Sequence, residues 1–448
     1  MFRAGHPRAR ALAAALALFA QAAPAAPTAP SSARRTALVQ AVERSKSAVV
    51  NISAQEVVRA AAGTEFDLFF RRAPRDEVRT SLGSGFVFDA AGYVITNYHV
   101  IERGSKITVS FDDGTDLTAK VVGTDPAGDL AVLKISGRKF PVVPLGSSAD
   151  LMLGEQTIAI GNPFGLNQSV SVGVVSALHR TVRAEQRSYY DFVQTDASIN
   201  PGNSGGPLLN ADGEVIAVCS AIYANAQGIG FAIPIDRALR VARELVRSGE
   251  IPDAFWGFDG QGIDEESAKA LGVKSGALVV AVDEGSPAEK AGLRRSDAVV
   301  RVGEAPVRDA DELRFLLRDV PLGKPVKVGL VRARAKLEIS LASVPLTPER
   351  AQVLFENRTG LALLELSPAQ ARTAGYDAQK GIVQVKLVER DSAAARAGIR
   401  RGDLLRAVNS AEVDTLSDLR NALAHARKSG RTVVLLQRGY RLMEFDAG

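Results

Sequence analysis

Cysteine is almost missing from this chain: Cys219 stands alone among 448 residues, so no intrachain disulfide can form. The fold must hold by packing, which a chain of this size can supply. Cys219 lies in the apolar run 214–220 and reads as a small buried hydrophobe on a strand, not as a nucleophile. Histidine is scarce, with four in all. Charge of one sign is not in excess. The net charge is +5, and without Arg3, Arg8 and Arg10 it falls to about +2, too weak to argue for nucleic acid or a membrane surface. After the amino-terminal stretch no apolar run approaches the roughly 20 residues of a spanning helix.

What is present is the composition of a globular protein, 46% hydrophobic and 23% charged. At about 150 residues per domain its length allows roughly three domains. Residues 1–22 read as a secretory signal peptide: a basic start, an Ala/Leu run from Ala11 to Ala20, and the small-x-small site Ala20-Gln21-Ala22. An uncleaved amino-terminal anchor is the alternative. A Pro/Ala/Ser-rich linker occupies 23–36.

From Ser47 to about Ile235 short apolar runs recur between Gly, Pro and Asp, at 48–52, 85–88, 106–111, 130–135, 157–160, 214–218 and 230–233. That pattern predicts a β-sandwich or barrel. The stretch between Ile52 and Gly83 shows no clear strand and carries the aromatic cluster Phe66 to Phe70, which suggests a gate or contact loop. Asp236 to Arg247 fits an amphipathic helix. Beyond it the chain repeats itself. Ser286 to Asp297 matches Ser392 to Asp403 at an offset of 106 without a gap, and each copy has a helix-start signature, Asp309-x-x-Glu312 and Thr415-x-x-Asp418. Two copies this far apart are tandem domains, not a solenoid.

The chemistry-bearing stretch is Asn200-Pro-Gly-Asn-Ser-Gly-Gly-Pro-Leu208. A nucleophilic serine needs a tight turn and backbone N–H groups aimed at the developing oxyanion, and flanking glycines permit both. Ser204 would be the nucleophile, the amides of Gly202 and Ser204 the oxyanion hole, and Asn203 the residue that sets the turn between them. A hydroxyl nucleophile needs a base, itself oriented by a carboxylate. His99, at the end of an apolar strand, suits the base; His179 and His425 read as structural. Asp125 and Asp129 compete for the carboxylate. Asp125 precedes a proline, which favours a turn role, whereas Asp129 leads directly into the apolar run 130–135, and Asp129 is preferred.

The order His99, Asp129, Ser204, in Thr-Asn-x-His-Val, Asp-Leu-Ala-Val-Leu-Lys and Gly-Asn-Ser-Gly-Gly-Pro-Leu, resembles the HtrA proteases, the Do-like or DegP/DegQ-like family. The resemblance covers nearly the whole chain after the leader. It implies a mainly β protein: a chymotrypsin-like double β-barrel over 37–250, then two α+β PDZ domains over 251–345 and 346–448. It implies an ATP-independent periplasmic serine endopeptidase acting on unfolded or mislocalised proteins, with no metal or cofactor, assembled as a trimer or an oligomer of trimers. Asn203 stands where digestive relatives carry an aspartate, so no zymogen cleavage is implied. Ser198 stands at the pocket base, and with Ile229, Phe231 and Ile233 it implies an apolar S1 pocket. In the PDZ modules the carboxylate loops would be Trp256-Gly257-Phe258 and Thr359-Gly360-Leu361-Ala362, catching substrate carboxyl termini; core packing is the plain alternative for Trp256 and Phe258. The segment Thr181 to Tyr190 would relay peptide occupancy to the catalytic loop. A chaperone or scaffold with an inactive protease domain is the competing class.

Overall fold

A computed structural model describes residues 34–59, 76–137, 139–161, 168–184, 187–200, 202–220, 228–376, 379–429 and 432–447. Residues 1–22, read above as a leader, and the cluster Phe66 to Phe70 lie outside them. None of the described helices is long and apolar enough to cross a membrane.

Two closed six-stranded barrels form the first half. In the first, β1 (Val49–Arg59), β2 (Asp76–Asp89), β3 (Tyr93–Thr96), β4 (Lys106–Ser110), β5 (Asp116–Asp125) and β6 (Leu130–Lys134) close in the order β1-β2-β3-β6-β5-β4. In the second, β7 (Gln156–Gly161), β8 (Ser169–Ala184), β9 (Arg187–Thr195), β10 (Pro207–Leu209), β11 (Val215–Ser220) and β12 (Gly230–Pro234) close as β10-β11-β12-β9-β8-β7. Closure removes the unpaired edges that a single sheet would expose. Wholly buried Ile52, Phe86, Leu133 and Val109 fill the first barrel's side of a core that runs on to Ile158, Ile160 and Ile233 of the second.

The region expected to lack strands is corrected in part. β1 and β2 extend into it and pair with each other from Ser53↔Leu82 out to Arg59↔Asp76. Their outer residues are mostly charged or polar, so the sequence shows no alternation there, and the ladder is carried by backbone hydrogen bonds.

Helix α1 (Tyr98–Ile101) follows β3, and helix α2 (Ile235–Ser248) follows β12. α2 buries Ala238, Leu239, Val241, Ala242 and Leu245 against the core shared by the two barrels and ends at Gly249 in the left-handed region (φ 78°).

The repeats form two sheets of one design. The first runs β13 (Phe258–Gly262), β14 (Ala277–Val282), β15 (Ala298–Val302), β16 (Pro325–Arg332), β17 (Ala335–Ala342), with helix α3 (Ala310–Asp319) alongside β13. The second runs β18 (Leu361–Leu366), β19 (Ile382–Val388), β20 (Leu404–Val408), β21 (Val433–Arg438), β22 (Arg441–Asp446) and carries helices α4 (Pro348–Thr359) and α5 (Leu416–Ser429). The Asp309 carboxylate and the Thr415 hydroxyl cap α3 and α5, accepting from Glu312 N–H (2.8 Å) and Asp418 N–H (3.1 Å). An internal clamp repeats at the same offset: Arg332 grips buried Asp297 with two hydrogen bonds of 2.7 Å, and Arg438 grips buried Asp403 with two of 2.6 Å.

Candidate active site

The site lies on the seam between the barrels. α1 presents His99, whose Nδ1 lies 2.9 Å from both oxygens of Asp129. Asp129 heads β6 with its backbone in the left-handed region (φ 55°), which an aspartate tolerates better than most side chains. Two further bonds fix it: Asn97 Nδ2 donates to its carbonyl (2.9 Å) and the His99 amide to its Oδ1 (3.1 Å). A third comes across the seam, where Ser220 at the end of β11 donates its hydroxyl to Asp129 Oδ2 (3.0 Å). A carboxylate held by these donors keeps the imidazole proton on Nδ1 and turns a lone pair of Nε2 toward the cleft. The Asp129 side chain is 3% exposed and that of His99 40%, so the pair is anchored inside and its working end reaches solvent.

Ser204 sits in a turn tied to both barrels. Its carbonyl accepts from the Ser84 amide (2.8 Å), and the Ser84 carbonyl accepts from the Thr96 hydroxyl (2.7 Å), three residues before His99. On the other side Gly205 N–H donates to Cys219 O (2.8 Å) and Cys219 N–H to Gly206 O (2.9 Å). Gly205 has φ 82°, and a Cβ there would lie 2.3 Å from the Ser84 carbonyl oxygen, so no other residue fits. Cys219 is wholly buried behind this turn, and burial pushes its thiol up to about 12, which leaves it neutral.

Asp125 goes elsewhere. Its buried Oδ1 accepts from Gly128 N–H (2.9 Å) and from the guanidinium of Arg318 on α3. It shapes the turn that delivers Asp129 and meets the first PDZ module, without reaching His99.

Asn203 is tied into the turn by three hydrogen bonds. Its amide donates to Asn200 O (3.1 Å), while its side chain accepts from Asn200 N–H and donates to Ser198 O, each at 2.9 Å. Asn203 therefore braces the turn that carries Gly202 and Ser204. Ser198 is exposed and gives its carbonyl to Asn203 and to the Ser171 hydroxyl (2.8 Å).

Three of the residues expected at the pocket lie on or just before β12. Residues i and i+2 of a strand share a face, and on β12 Phe231 and Ile233 share theirs with Ser220 and Val218, their cross-strand partners on β11, so that face looks onto the seam where Ser220 meets Asp129. Ile233 is wholly buried in the core shared by the two barrels, and the Phe231 ring stands edge-on to Phe192 at 6.2 Å. The opposite face starts at Gly230, where a Cβ would meet the Ile199 side chain at 2.8 Å. Ile229, 41% exposed, precedes the strand.

In the first PDZ module Trp256 and Phe258 are mostly buried in its core and also line a cavity of about 460 Å³ that is bounded by β13 and α3 and, on its other sides, by the turn 124–127, the linker 250–254, Leu346 and Ala424. Gly257 (φ 86°) lets the loop press on Ser286, whose hydroxyl donates to the Gly257 carbonyl (3.1 Å). In the second module Gly360 and Leu361 lead from α4 into β18. The Gly360 amide donates to Glu356 O (2.7 Å) and the Leu361 amide to Thr359 Oγ1 (3.1 Å), so both are occupied within the chain.

Three residues of weight were missed in the sequence reading. Ser220 is one serine in an apolar strand, and only the barrel closure aims it at Asp129. Arg332 and Arg438 share the repeat offset with the aspartates they grip, a pairing that extending the self-alignment would have found.

A model of the trypsin-like peptidase domain matches residues 83–218, and a PDZ domain model matches 278–332 and 384–438. Among curated proteins, a DegP-like periplasmic serine endoprotease of Chlamydia muridarum is 40% identical over 382 residues, 83% of this chain and 76% of that protein. One of Pseudomonas putida strain GB-1 is 36% identical, over 84% and 85%. Among solved structures, the HtrA-type protease AlgW with a decapeptide aligns over 69% of this chain and 98% of that one, at 33% identity and a TM-score of 0.53. The chain belongs to the DegP-like serine endoproteases of the HtrA type, with one trypsin-like domain and two PDZ domains.

Proposed function

We propose that Ser204 is the nucleophile, His99 its base and Asp129 the group that orients the base, in an endopeptidase that cuts unfolded envelope proteins without ATP. The observation that carries this reading is the two-oxygen grip of Asp129 on His99 Nδ1, with Ser220 reaching it from the other barrel. Ser204 attacks the scissile carbonyl as His99 Nε2 takes its proton. The oxyanion forms against the amides of Gly202 and Ser204, and the imidazolium then protonates the leaving amine. The chain reaches the periplasm by a cleavable leader over 1–22, consistent with the naming of its relatives as periplasmic. The domain limits follow the expectation, 37–250, 251–345 and 346–448; the end of α2 just before residue 250 supports the first.

The first PDZ groove binds a substrate carboxyl terminus and reports to the protease domain. One side of α3 lines the groove through Leu313 and Leu317. From the same helix Phe315 packs between Tyr190 (5.1 Å) and the Arg237 guanidinium (4.3 Å), Asp319 pairs with Arg240 (2.6 Å), and Arg318 pairs with Asp125. Just before the helix, Arg308 donates to Thr181 (3.2 Å). A shift of α3 would thus be felt at both ends of segment 181–190 and at the turn before Asp129. The copies assemble as a homotrimer or larger. Support comes from Val170, Val172 and Val174, exposed in a row on β8 beside exposed Met152 and Leu153.

Purified protein and a Ser204→Ala variant incubated with unfolded casein test the chemistry. The first should degrade it and the second should not. Wild-type protein that leaves casein intact, even with heat and added carboxyl-terminal peptide, would defeat the reading. Sedimentation with and without substrate tests the assembly.

A further inference from the structure

The two PDZ modules share a sheet design but not an open groove. In the first, edge strand β13 and helix α3 bound the cavity described above. In the second, the matching space between edge strand β18 and helix α5 is filled by α4. This helix packs on both elements, setting Ala351, Leu354 and wholly buried Phe355 into one cluster with Leu363, Leu419 and Leu423. Its polar side completes the match. Gln352 Nε2 donates to the Leu363 carbonyl on the edge strand (2.8 Å), a bond of the kind an added peptide strand would make. At its end Thr359 occupies the Leu361 amide, Glu356 occupies the Gly360 amide, and the Thr359 hydroxyl itself donates to Phe355 O (2.6 Å). Buried backbone donors are satisfied almost without exception, and here the satisfying groups belong to the same chain. α4 is also fastened outward, since Arg358 pairs with Asp259 on β13 of the first module.

We propose that the second PDZ groove is not a peptide receptor: α4 of the same chain is its occupant, and the first module is the single carboxyl-terminal peptide site of each chain. This rests on the reading that the first groove takes peptides. A peptide entering the second groove would have to withdraw Phe355 and Leu354 from the module's own core and strip the capped amides of 360–361, whereas the first groove asks for no such exchange.

The test uses the full chain carrying Ser204→Ala, to prevent cleavage, titrated in a calorimeter with a polar decapeptide ending in a free Leu-Val-Phe carboxyl terminus. The expected stoichiometry is one peptide per chain. Gly260→Trp, which fills the first groove beside Leu313, should weaken binding by at least about 100-fold and leave no second site. Two sites per chain, or one site persisting in Gly260→Trp, would overturn the proposal. Hydrogen exchange supplies a readout that needs no peptide. Amides 360–363 should be protected in the free chain and unchanged on titration, while 257–261 gain protection. Fast exchange at 360–363 in the free chain, or protection gained there with peptide, would also overturn it. Protection at 360–363 with no peptide bound at either groove would refute instead the reading that the first module takes peptides, and with it the single-receptor claim.

Discussion

Replacing Asp129 by asparagine changes one atom and should nearly stop the enzyme. In the native site both carboxylate oxygens accept: His99 Nδ1 at 2.9 Å from each, the His99 amide on Oδ1, the Ser220 hydroxyl on Oδ2. An amide in that place must put its NH₂ against one of these donors. If the NH₂ faces His99, Nδ1 has to accept, and the ring proton moves to Nε2, where the base should have a lone pair. If it faces away, the imidazole keeps its tautomer but loses the negative charge that stabilises the imidazolium. Either arrangement removes about 10⁴ from kcat, or about 5.4 kcal/mol at the transition state, with KM little changed because no substrate contact is touched.

Asp125→Asn is the control, since the two residues share one turn. Its Oδ1 accepts from Gly128 and Arg318, and an amide oxygen can do the same. The loss in kcat should stay within about tenfold, from the weakened ion pair with Arg318. The assay is hydrolysis of a fluorogenic peptide under saturating conditions, with circular dichroism to show that both variants fold. Comparable losses at the two positions would refute the assignment, as would an Asp129→Asn enzyme retaining a tenth of its activity.

Ser220→Ala removes one of the donors to the Asp129 carboxylate and should cost about 1.5–3 kcal/mol in kcat/KM, roughly 10- to 150-fold, checked with the same substrate. Ser296 holds φ 70° where its repeat partner is Gly402, so Ser296→Gly should raise the melting temperature of the first PDZ module by roughly 2–6 °C, once relief of the left-handed strain is set against glycine's entropy. The second module should weaken in acid. Burial pushes the Asp403 carboxyl up, but the Arg438 hydrogen bonds and the Arg400 amide together outweigh it and hold the carboxyl below its ordinary value. A depressed folded pKa gives stability that is fully present above the unfolded value near 4 and is lost as pH falls through the folded one. Melting curves between pH 7 and pH 2 should therefore fall off below about pH 4 for wild type and less steeply for Asp403→Asn.

Strands and turns were legible wherever one face of a segment was buried. The apolar runs at 130–135, 157–160 and 214–218 became β6, β7 and β11 because alternation or full burial marks a barrel wall. The outer part of the β1–β2 hairpin was not legible, since strands that pair only with each other need no apolar face. Asp129 could be preferred over Asp125 because an apolar strand follows it. What the sequence did not show was the reach of Arg318 from a domain nearly 200 residues away, or that Asp125 would be claimed by it.

Parity limits what the sequence says of the pocket. A family pattern places Ile229, Phe231 and Ile233 near the pocket, but a strand sends alternate residues to opposite faces, and nothing in one strand's sequence says which face is the cleft. Apolar residues at 231 and 233 serve a barrel core as well as a pocket. Ser220 on β11 places that face, because it is the cross-strand partner of Phe231 and reaches Asp129, so Phe231 and Ile233 look onto the seam between the barrels. Helix α4 poses the same problem on a larger scale. Ala351, Leu354 and Phe355 are spaced for a helix with one apolar stripe, but a stripe states only that something covers it. The covering surface here is a groove whose counterpart one repeat earlier stands open, and only the packed chain distinguishes a receptor from a receptor already filled.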